Sequence, residues 1–382
     1  MPFLNTGALV QLAVIGVTFA LQLVAQPRWT ALAYRLAAHA GVFCLLWREF
    51  GSLPHAQEVV MVSWAAYGLA VLLVSRWLRD EITAEVSNVA FLGAGMLLGA
   101  SLLGQPEGAA FANWAAVLDL AALGLAAAAS FVCRPSEAAL GYRLSIHCAV
   151  LLLLFRELFQ LESGMYMVMF AWAAYATCLY FLGRRVRDEA TLWSGYAVLG
   201  VAGGWLLLRV VYGLITVNPD APAVFTVRGL AELGVIALAA AIFPLVRNGR
   251  LRLAHGLWLH LAFLGWMWQE LGLLEDGNAY VTIGWGAYGI ALVVGGFLLS
   301  RNLPVMLCGV TTLFAIAGKL FVVDLQYLGT GWQIALFLGF GAFFLVVSYG
   351  FQRYVLGRGA PPERENSPAR GETTVQQAAE HG

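Results

Sequence analysis

The sequence predicts an all-α protein, a polytopic transmembrane helix bundle of about 13 helices in three parallel four-helix repeats plus a closing helix. Three observations predict it: an apolar composition, stretches of spanning length along nearly the whole chain, and an internal period. Of 382 residues, 60% are hydrophobic and 12% charged, whereas a soluble domain carries about 25% charged residues. The mean hydropathy is +0.76, so lipid rather than a protein core must solvate most of these side chains.

A helix rises about 1.5 Å per residue, so roughly 20 apolar residues cross about 30 Å of hydrocarbon. Stretches of that kind run over Thr6–Ala25, Leu36–Leu53, Glu58–Ser75, Val86–Leu103, Ala110–Cys133, Leu144–Leu161 and Gly164–Gly183. They continue over Thr191–Tyr212, Val224–Val246, Leu253–Leu271, Asn278–Ser300, Pro304–Val323 and Trp332–Phe351. The first lacks a basic leader and a small-residue cleavage site, and so reads as a spanning helix rather than a signal peptide. From Gly357 the chain turns Pro-, Gly- and charge-rich without an apolar period, which predicts a disordered cytoplasmic tail over 357–382.

The formal net charge is zero, but Lys and Arg are distributed unevenly. After odd-numbered helices come Arg28, Arg35, Arg76, Arg79, Arg134, Arg143, Arg184, Arg185, Arg187, Arg247, Arg250, Arg252 and Arg301, and beyond the last helix Arg353, Arg358, Arg364 and Arg370. The bias of basic residues toward cytoplasmic loops then predicts a periplasmic N-terminus and a cytoplasmic C-terminus in a cell inner membrane. Cys44, Cys133, Cys148, Cys178 and Cys308 form no CxxC or Cys/His spacing, so they are expected as buried small hydrophobes, with no metal and no cofactor.

Shifting the chain by 108 residues lays Tyr34-Arg35-Leu36 on Tyr142-Arg143-Leu144, His39 on His147, Arg48-Glu49 on Arg156-Glu157, and Arg79-Asp80-Glu81 on Arg187-Asp188-Glu189. The same shift lays Trp64-Ala65-Ala66-Tyr67 on Trp172-Ala173-Ala174-Tyr175. A further shift of 113 lays His147 on His260, Glu157 on Glu270, Trp172 on Trp285 and Tyr175 on Tyr288. The registers divide the chain into units over 1–111, 112–224 and 225–330, then a closing helix over 331–356. An even number of crossings per unit makes the units parallel rather than inverted.

Ionisable groups inside a membrane cost about 2.5–3.5 kcal/mol at a helix centre, so they face protein or water. Four columns qualify. Glu49, Glu157 and Glu270 lie near the outer end of the second helix of each unit, either lining a vestibule for a cation or sugar or forming interfacial ion pairs. Arg48 and Arg156 precede two of them, but adjacent helical residues diverge, so partners are expected from other helices. His39, His147 and His260 lie ten residues earlier, about 15 Å deeper, as proton relays or as hydrogen-bonded core histidines.

Gln11, Asp119 and Glu232 form the third column, placed near mid-bilayer without an opposite charge in their own helices. Asp119 and Glu232 are therefore the leading substrate- or proton-binding candidates, against a role as polar glue. Trp64 with Tyr67, Trp172 with Tyr175 and Trp285 with Tyr288 share helix faces at a spacing of three, as aromatic lining of a groove or as packing between Gly- and Ala-rich helices. No Walker, GxSxG, HExxH or dinucleotide motif is present, so an enzyme is not expected. Nucleic-acid binding has no support, because the orientation bias already explains the basic residues. Membrane lipids and a membrane-protein partner are the expected associations.

The most specific pattern is GKLFVVDLQYLGTGWQIALFLGFGAFFLVVSYGFQRY, with Lys319, Asp324, Ser348-Tyr349 and Gln352-Arg353-Tyr354. With the tryptophan hairpins at Trp64, Trp172 and Trp285, it resembles the bacterial predicted membrane protein family Domain of Unknown Function 2339 over most of residues 1–355. The chain departs from that pattern at Tyr67, Tyr175 and Tyr288, where the family often has Glu, and at Gln333, commonly Arg. The resemblance implies a many-helix membrane protein and brings no catalytic residues. Two function classes follow: a transporter or channel for a small solute or lipid-linked molecule, and a non-catalytic scaffold or accessory subunit of envelope machinery.

Overall fold

The computed structural model describes residues 3–320 apart from 4, 27, 106–107, 134–136, 216–225, 276 and 301–302, together with scattered positions between 330 and 352. Among the described residues there are twelve α-helices. They are α1 (Thr6–Val24), α2 (Arg28–Phe50), α3 (Ala56–Leu78), α4 (Glu81–Leu103), α5 (Trp114–Val132) and α6 (Glu137–Phe159), then α7 (Gly164–Val186), α8 (Glu189–Ile215), α9 (Val227–Ile242), α10 (Gly249–Leu271), α11 (Gly277–Gly295) and α12 (Leu303–Lys319). A 3-10 turn, Phe243–Leu245, extends α9, and a π-helical turn, Gly296–Ser300, extends α11. Ten of the helices are long and apolar enough to cross a membrane. The closing helix and the tail expected over 357–382 lie largely or wholly outside the described residues.

The expected spans find their helices, but several begin too late. Leu36–Leu53 is α2 starting at Arg28, and Leu144–Leu161 is α6 starting at Glu137. The apolar count omits the first two turns or so because they end on Arg35 and Arg143. Those turns are helical all the same, because each guanidinium meets a carboxylate on a neighbouring element, Arg35 on Asp80 at 2.5 Å and Arg143 on Asp188 at 2.5 Å. Asp80 caps α4 by accepting from the Ile82 N–H, and Thr83 donates to it at 2.5 Å. Thr191 donates to Asp188 at 2.6 Å.

The α3–α4 and α7–α8 hairpins turn on Arg79 and Arg187, with φ of 55° and 58°. In both, the N–H two residues past the helix end closes the turn, Asp80 on the Ser75 carbonyl and Asp188 on the Gly183 carbonyl, each at 2.9 Å. Glycine usually occupies this left-handed cap; here the arginine side chain remains in solvent at the bundle's basic end.

The chain forms two compact units, Met1–Val281 and Thr282–Gly382. In the first, one core joins α3 to α6 around Met61, Leu72, Phe91 and Leu123, and a second joins α7 to α10 around Met169, Leu206, Val235 and Ile242. Helices approach closely where a side chain is missing. A Cβ on Gly195 would lie 2.8 Å from the Ala176 carbonyl oxygen, and one on Gly183 would lie 2.6 Å from the Leu192 nitrogen. In the second unit α11 and α12 touch at Gly289 and Gly309, and Lys319 donates to Thr282 at 2.7 Å.

The cysteines correct the expectation of burial. Only Cys133 is buried; Cys44, Cys148 and Cys178 are exposed, and Cys308 is intermediate. A thiol is small and weakly polar, and tolerates a lipid-facing helix surface as well as a protein interior.

Candidate functional site

The helix caps build the site. Asn113 precedes α5 in extended conformation, and its Oδ1 accepts from the Ala116 N–H at 2.8 Å. That leaves its amide NH2 directed away from the helix, toward α6, where it donates to Glu157 Oε2 at 3.0 Å. The Phe111 N–H donates to the same oxygen at 2.8 Å. Arg156 donates to the other carboxylate oxygen of Glu157 through Nε at 2.8 Å. Arg156 also meets Asp119 Oδ2 at 2.8 Å and the Ser101 carbonyl at 3.0 Å. Asp119 and Glu157 are fully buried and Arg156 is 6% exposed.

This geometry corrects three expectations. Asp119 is the sixth residue of the 19-residue α5, about 8 Å along it by rise and so nearer the start of the helix than its middle. It shares a layer with Glu157, so two separate columns are one cluster. Adjacent residues do pair: Arg156 with Glu157, and Arg48 with Glu49 through Nε at 3.0 Å. The arginine is long enough to fold back along the helix end and cover the roughly 100° between neighbouring side chains.

Glu49 is held in the same manner, accepting from Asn5 Nδ2 at 3.0 Å and from the Phe3 N–H at 2.9 Å. The residue in register with Asp119 there is Gln11, which is exposed on α1.

Around Glu232 the parts differ. Thr226 caps α9 through the Gly229 N–H at 3.1 Å, and a threonine has no amide to extend toward Glu270. Arg228, one turn before Glu232 in the same helix, reaches it at 3.4 Å and donates to Gln269 at 2.6 Å. The expectation that Glu232 has no counter-charge in its own helix is therefore corrected, since Arg228 sits four residues before it. Gln269 ties α10 to α8 through the Arg209 and Val210 carbonyls at 3.2 and 3.0 Å. Arg209 donates to the Tyr166 hydroxyl and lies over its ring. Glu232 is fully buried and Glu270 is 2% exposed.

The histidines form a separate layer. His39 meets the Tyr67 hydroxyl at 2.6 Å and His147 meets Tyr175 at 2.8 Å, so the tyrosine and histidine columns join within the α2–α3 and α6–α7 hairpins. His260 is buried on α10. Trp64 packs over Gly93, where a Cβ would lie 2.9 Å from its ring, and against Phe43. Trp172 donates to the Leu151 carbonyl at 3.1 Å and packs on Trp205. These two tryptophans face helix interfaces. Trp285 and Tyr288 lie on α11 in the second unit.

Sequence reasoning missed Asn5, Asn113, Ser101, Arg209, Arg228 and Gln269. The signal for the two asparagines was legible, since each stands immediately before a helix as an N-cap does. Among the described residues no group of three His, Cys, Asp or Glu is placed to hold a metal ion.

No curated protein and no solved structure matches the chain. The model of the predicted membrane protein family Domain of Unknown Function 2339 matches residues 3–354, and the chain belongs to that family.

Proposed function

We propose that this family member is a transporter for a small solute or lipid-linked molecule, and that Asp119 carries a coupling proton at the junction of α4, α5 and α6. The observation that carries this reading is the charge balance of the buried cluster. Two carboxylates, Asp119 and Glu157, face one guanidinium, Arg156. Glu157 accepts from three donors. Asp119 Oδ2 meets Arg156 and the Ser101 hydroxyl, while its Oδ1 has no hydrogen-bond partner. Glu232 Oε2 and Glu270 Oε2 share that feature, so the charge count and not the orphaned oxygen separates the clusters. An uncompensated charge buried at this depth is costly, so one proton on Asp119 neutralises the cluster and its loss must be matched by another cation or a movement.

The reading takes the chain as three parallel units in a bacterial inner membrane, N-terminus periplasmic and C-terminus cytoplasmic. Helix starts at Thr6, Trp114 and Val227, separated by 108 and 113 residues, support the units, as do the matched caps Asn5, Asn113 and Thr226. A reporter fused after Gly382 should be active only on the cytoplasmic side.

Proton flux into proteoliposomes tests the transport reading. The parent should support a solute-dependent flux that Asp119→Asn abolishes. Equal flux in parent and variant would leave the scaffold reading, which the repeated ties Arg35–Asp80, Arg143–Asp188, His39–Tyr67 and His147–Tyr175 favour, since all of them fasten helices together.

A further inference from the structure

Away from both carboxylate clusters, a cleft of about 280 Å³ opens between α8 and α10. Its walls are aromatic: Tyr196 on α8, His255 and Trp258 on α10. Its floor is backbone. Trp258 lies on Gly203, where a Cβ would be 2.8 Å from the indole, and its Nε1 donates to the Gly203 carbonyl at 3.3 Å. Gly200 and Gly204 also border the cleft, and a Cβ on either would meet nothing within 4 Å.

The corresponding crossing of α4 and α6 carries other side chains, with Leu92 and Met96 on its exposed face. Leu92 and Met96 stand where Gly200 and Gly204 stand after a shift of 108, and Tyr142 stands where His255 stands after a shift of 113. Tyr142 donates to Asn88 at 2.7 Å and its ring packs edge-on to Phe91 at 5.1 Å. The two glycines and the imidazole that border the α8–α10 space are thus particular to that crossing.

The mouth of the cleft is basic. Leu251, its lining residue nearest the start of α10, is flanked by Arg250 and Arg252, both exposed, and Arg247 precedes the helix. Arg184 donates to the Leu245 carbonyl at 3.3 Å, which brings the exposed end of α7 with Arg184 and Arg185 to the same turn. An aromatic path leads inward: Arg252 lies 5.2 Å over Phe243, Phe243 is 6.0 Å from His255, and His255 is 6.3 Å from Trp258. On the α8 side Asp188 is engaged by Arg143 and Thr191, and the first turn of α8 carries one acid, Glu189.

We propose that the α8–α10 cleft binds an anionic glycerophospholipid, one acyl chain lying along Gly200, Gly204 and Trp258 and the phosphate held by Arg250 and Arg252. The volume is near the lower bound for a small-molecule pocket and suits one chain rather than a headgroup. An apolar slot ending in clustered arginines at a membrane face has the chemistry that recognises anionic headgroups.

The test uses the full chain in nanodiscs and lipid retention read by native mass spectrometry, with phosphatidylglycerol and phosphatidylcholine of identical acyl chains. The parent should retain phosphatidylglycerol about tenfold or more over phosphatidylcholine, the scale of two arginines near a headgroup. Gly200→Leu with Gly204→Met should lose the retained lipid, and Arg250→Gln with Arg252→Gln should keep a lipid but lose the preference. Both glycine changes place side chains in open space and raise helix propensity, so they should fold. Equal retention of the two lipids by the parent, or undiminished phosphatidylglycerol on the filled variant, overturns the proposal. A second measurement needs no cleft variant: quenching by brominated acyl chains, taken as the difference between parent and Trp258→Phe, should be stronger for phosphatidylglycerol than for phosphatidylcholine. Equal quenching contradicts it.

Discussion

The Asp119 and Glu232 clusters occupy the same place in their helices and differ in where the positive charge comes from. Each acid is the sixth residue of its helix, and each has a second acid, Glu157 or Glu270, on the following helix. At the first, Arg156 serves both acids. At the second, Gln269 stands in its place, and two arginines arise elsewhere, Arg209 where Ser101 stood and Arg228 where Ala115 stood. The carboxylates stay while the cations move between helices. The first cluster therefore sets two acids against one base; at the second, Arg228 pairs with Glu232 while Arg209, bonded to Tyr166, acts on Glu232 only through space. Sequence similarity alone would rate these junctions equivalent; charge counting separates them.

The largest expected effect sharpens that contrast. Arg156→Met removes the one cation from two buried carboxylates and should destabilise the protein by about 3–5 kcal/mol, the usual cost of orphaning a buried charge. Arg228→Met should cost less, since its side chain is 23% exposed and Arg209 still acts on Glu232 through space. Unfolding midpoints in detergent would check both, and Arg156→Gln combined with Asp119→Asn should recover part of the loss. Equal penalties for the two arginines would break the comparison.

The caps come next. Asn113→Ala loses the cap, worth about 1 kcal/mol, and also a hydrogen bond to a carboxylate worth about 1.5–3 kcal/mol. Thr226→Ala loses the cap alone. The same unfolding series should rank Asn113→Ala above Thr226→Ala by at least the second contribution.

The smallest effect lies at the opposite helix ends, where the contrast should vanish. Arg35–Asp80 and Arg143–Asp188 share one geometry, so Asp80→Asn and Asp188→Asn should cost alike, about 0.2–1 kcal/mol for such partly exposed pairs. The Thr83 hydroxyl, with the Arg35 guanidinium behind it, holds the Asp80 carboxyl below the ordinary carboxylate range. A lowered folded-state value means that this contribution is present above about pH 4, the unfolded value, and fades as pH falls through the folded one. Stability measured between pH 7 and pH 3 should fall less steeply in Asp80→Asn.

Helix number, the apolar spans and the polar columns were legible in the sequence because each is a pattern along one helix. What joins columns was not. Asp119 and Glu157 lie 38 positions apart in the chain, and their meeting depends on Arg156 bending back and on where α5 begins, which the cap at Asn113 sets. The start of α2, Arg28 to Arg35, was misread for a related reason, since Arg35 is a poor membrane residue until Asp80 is beside it. The α8–α10 cleft left only the small residues Gly200 and Gly204 as a trace.

The central claim is that the Asp119 cluster accommodates one exchangeable proton and the Glu232 cluster does not. Infrared difference spectra recorded across a pH titration in nanodiscs test it directly, because a protonated carboxyl absorbs apart from a carboxylate. The account predicts one protonated-carboxyl band that Asp119→Asn removes and Glu232→Gln leaves in place. A band that persists in Asp119→Asn, or disappears in Glu232→Gln, would contradict it.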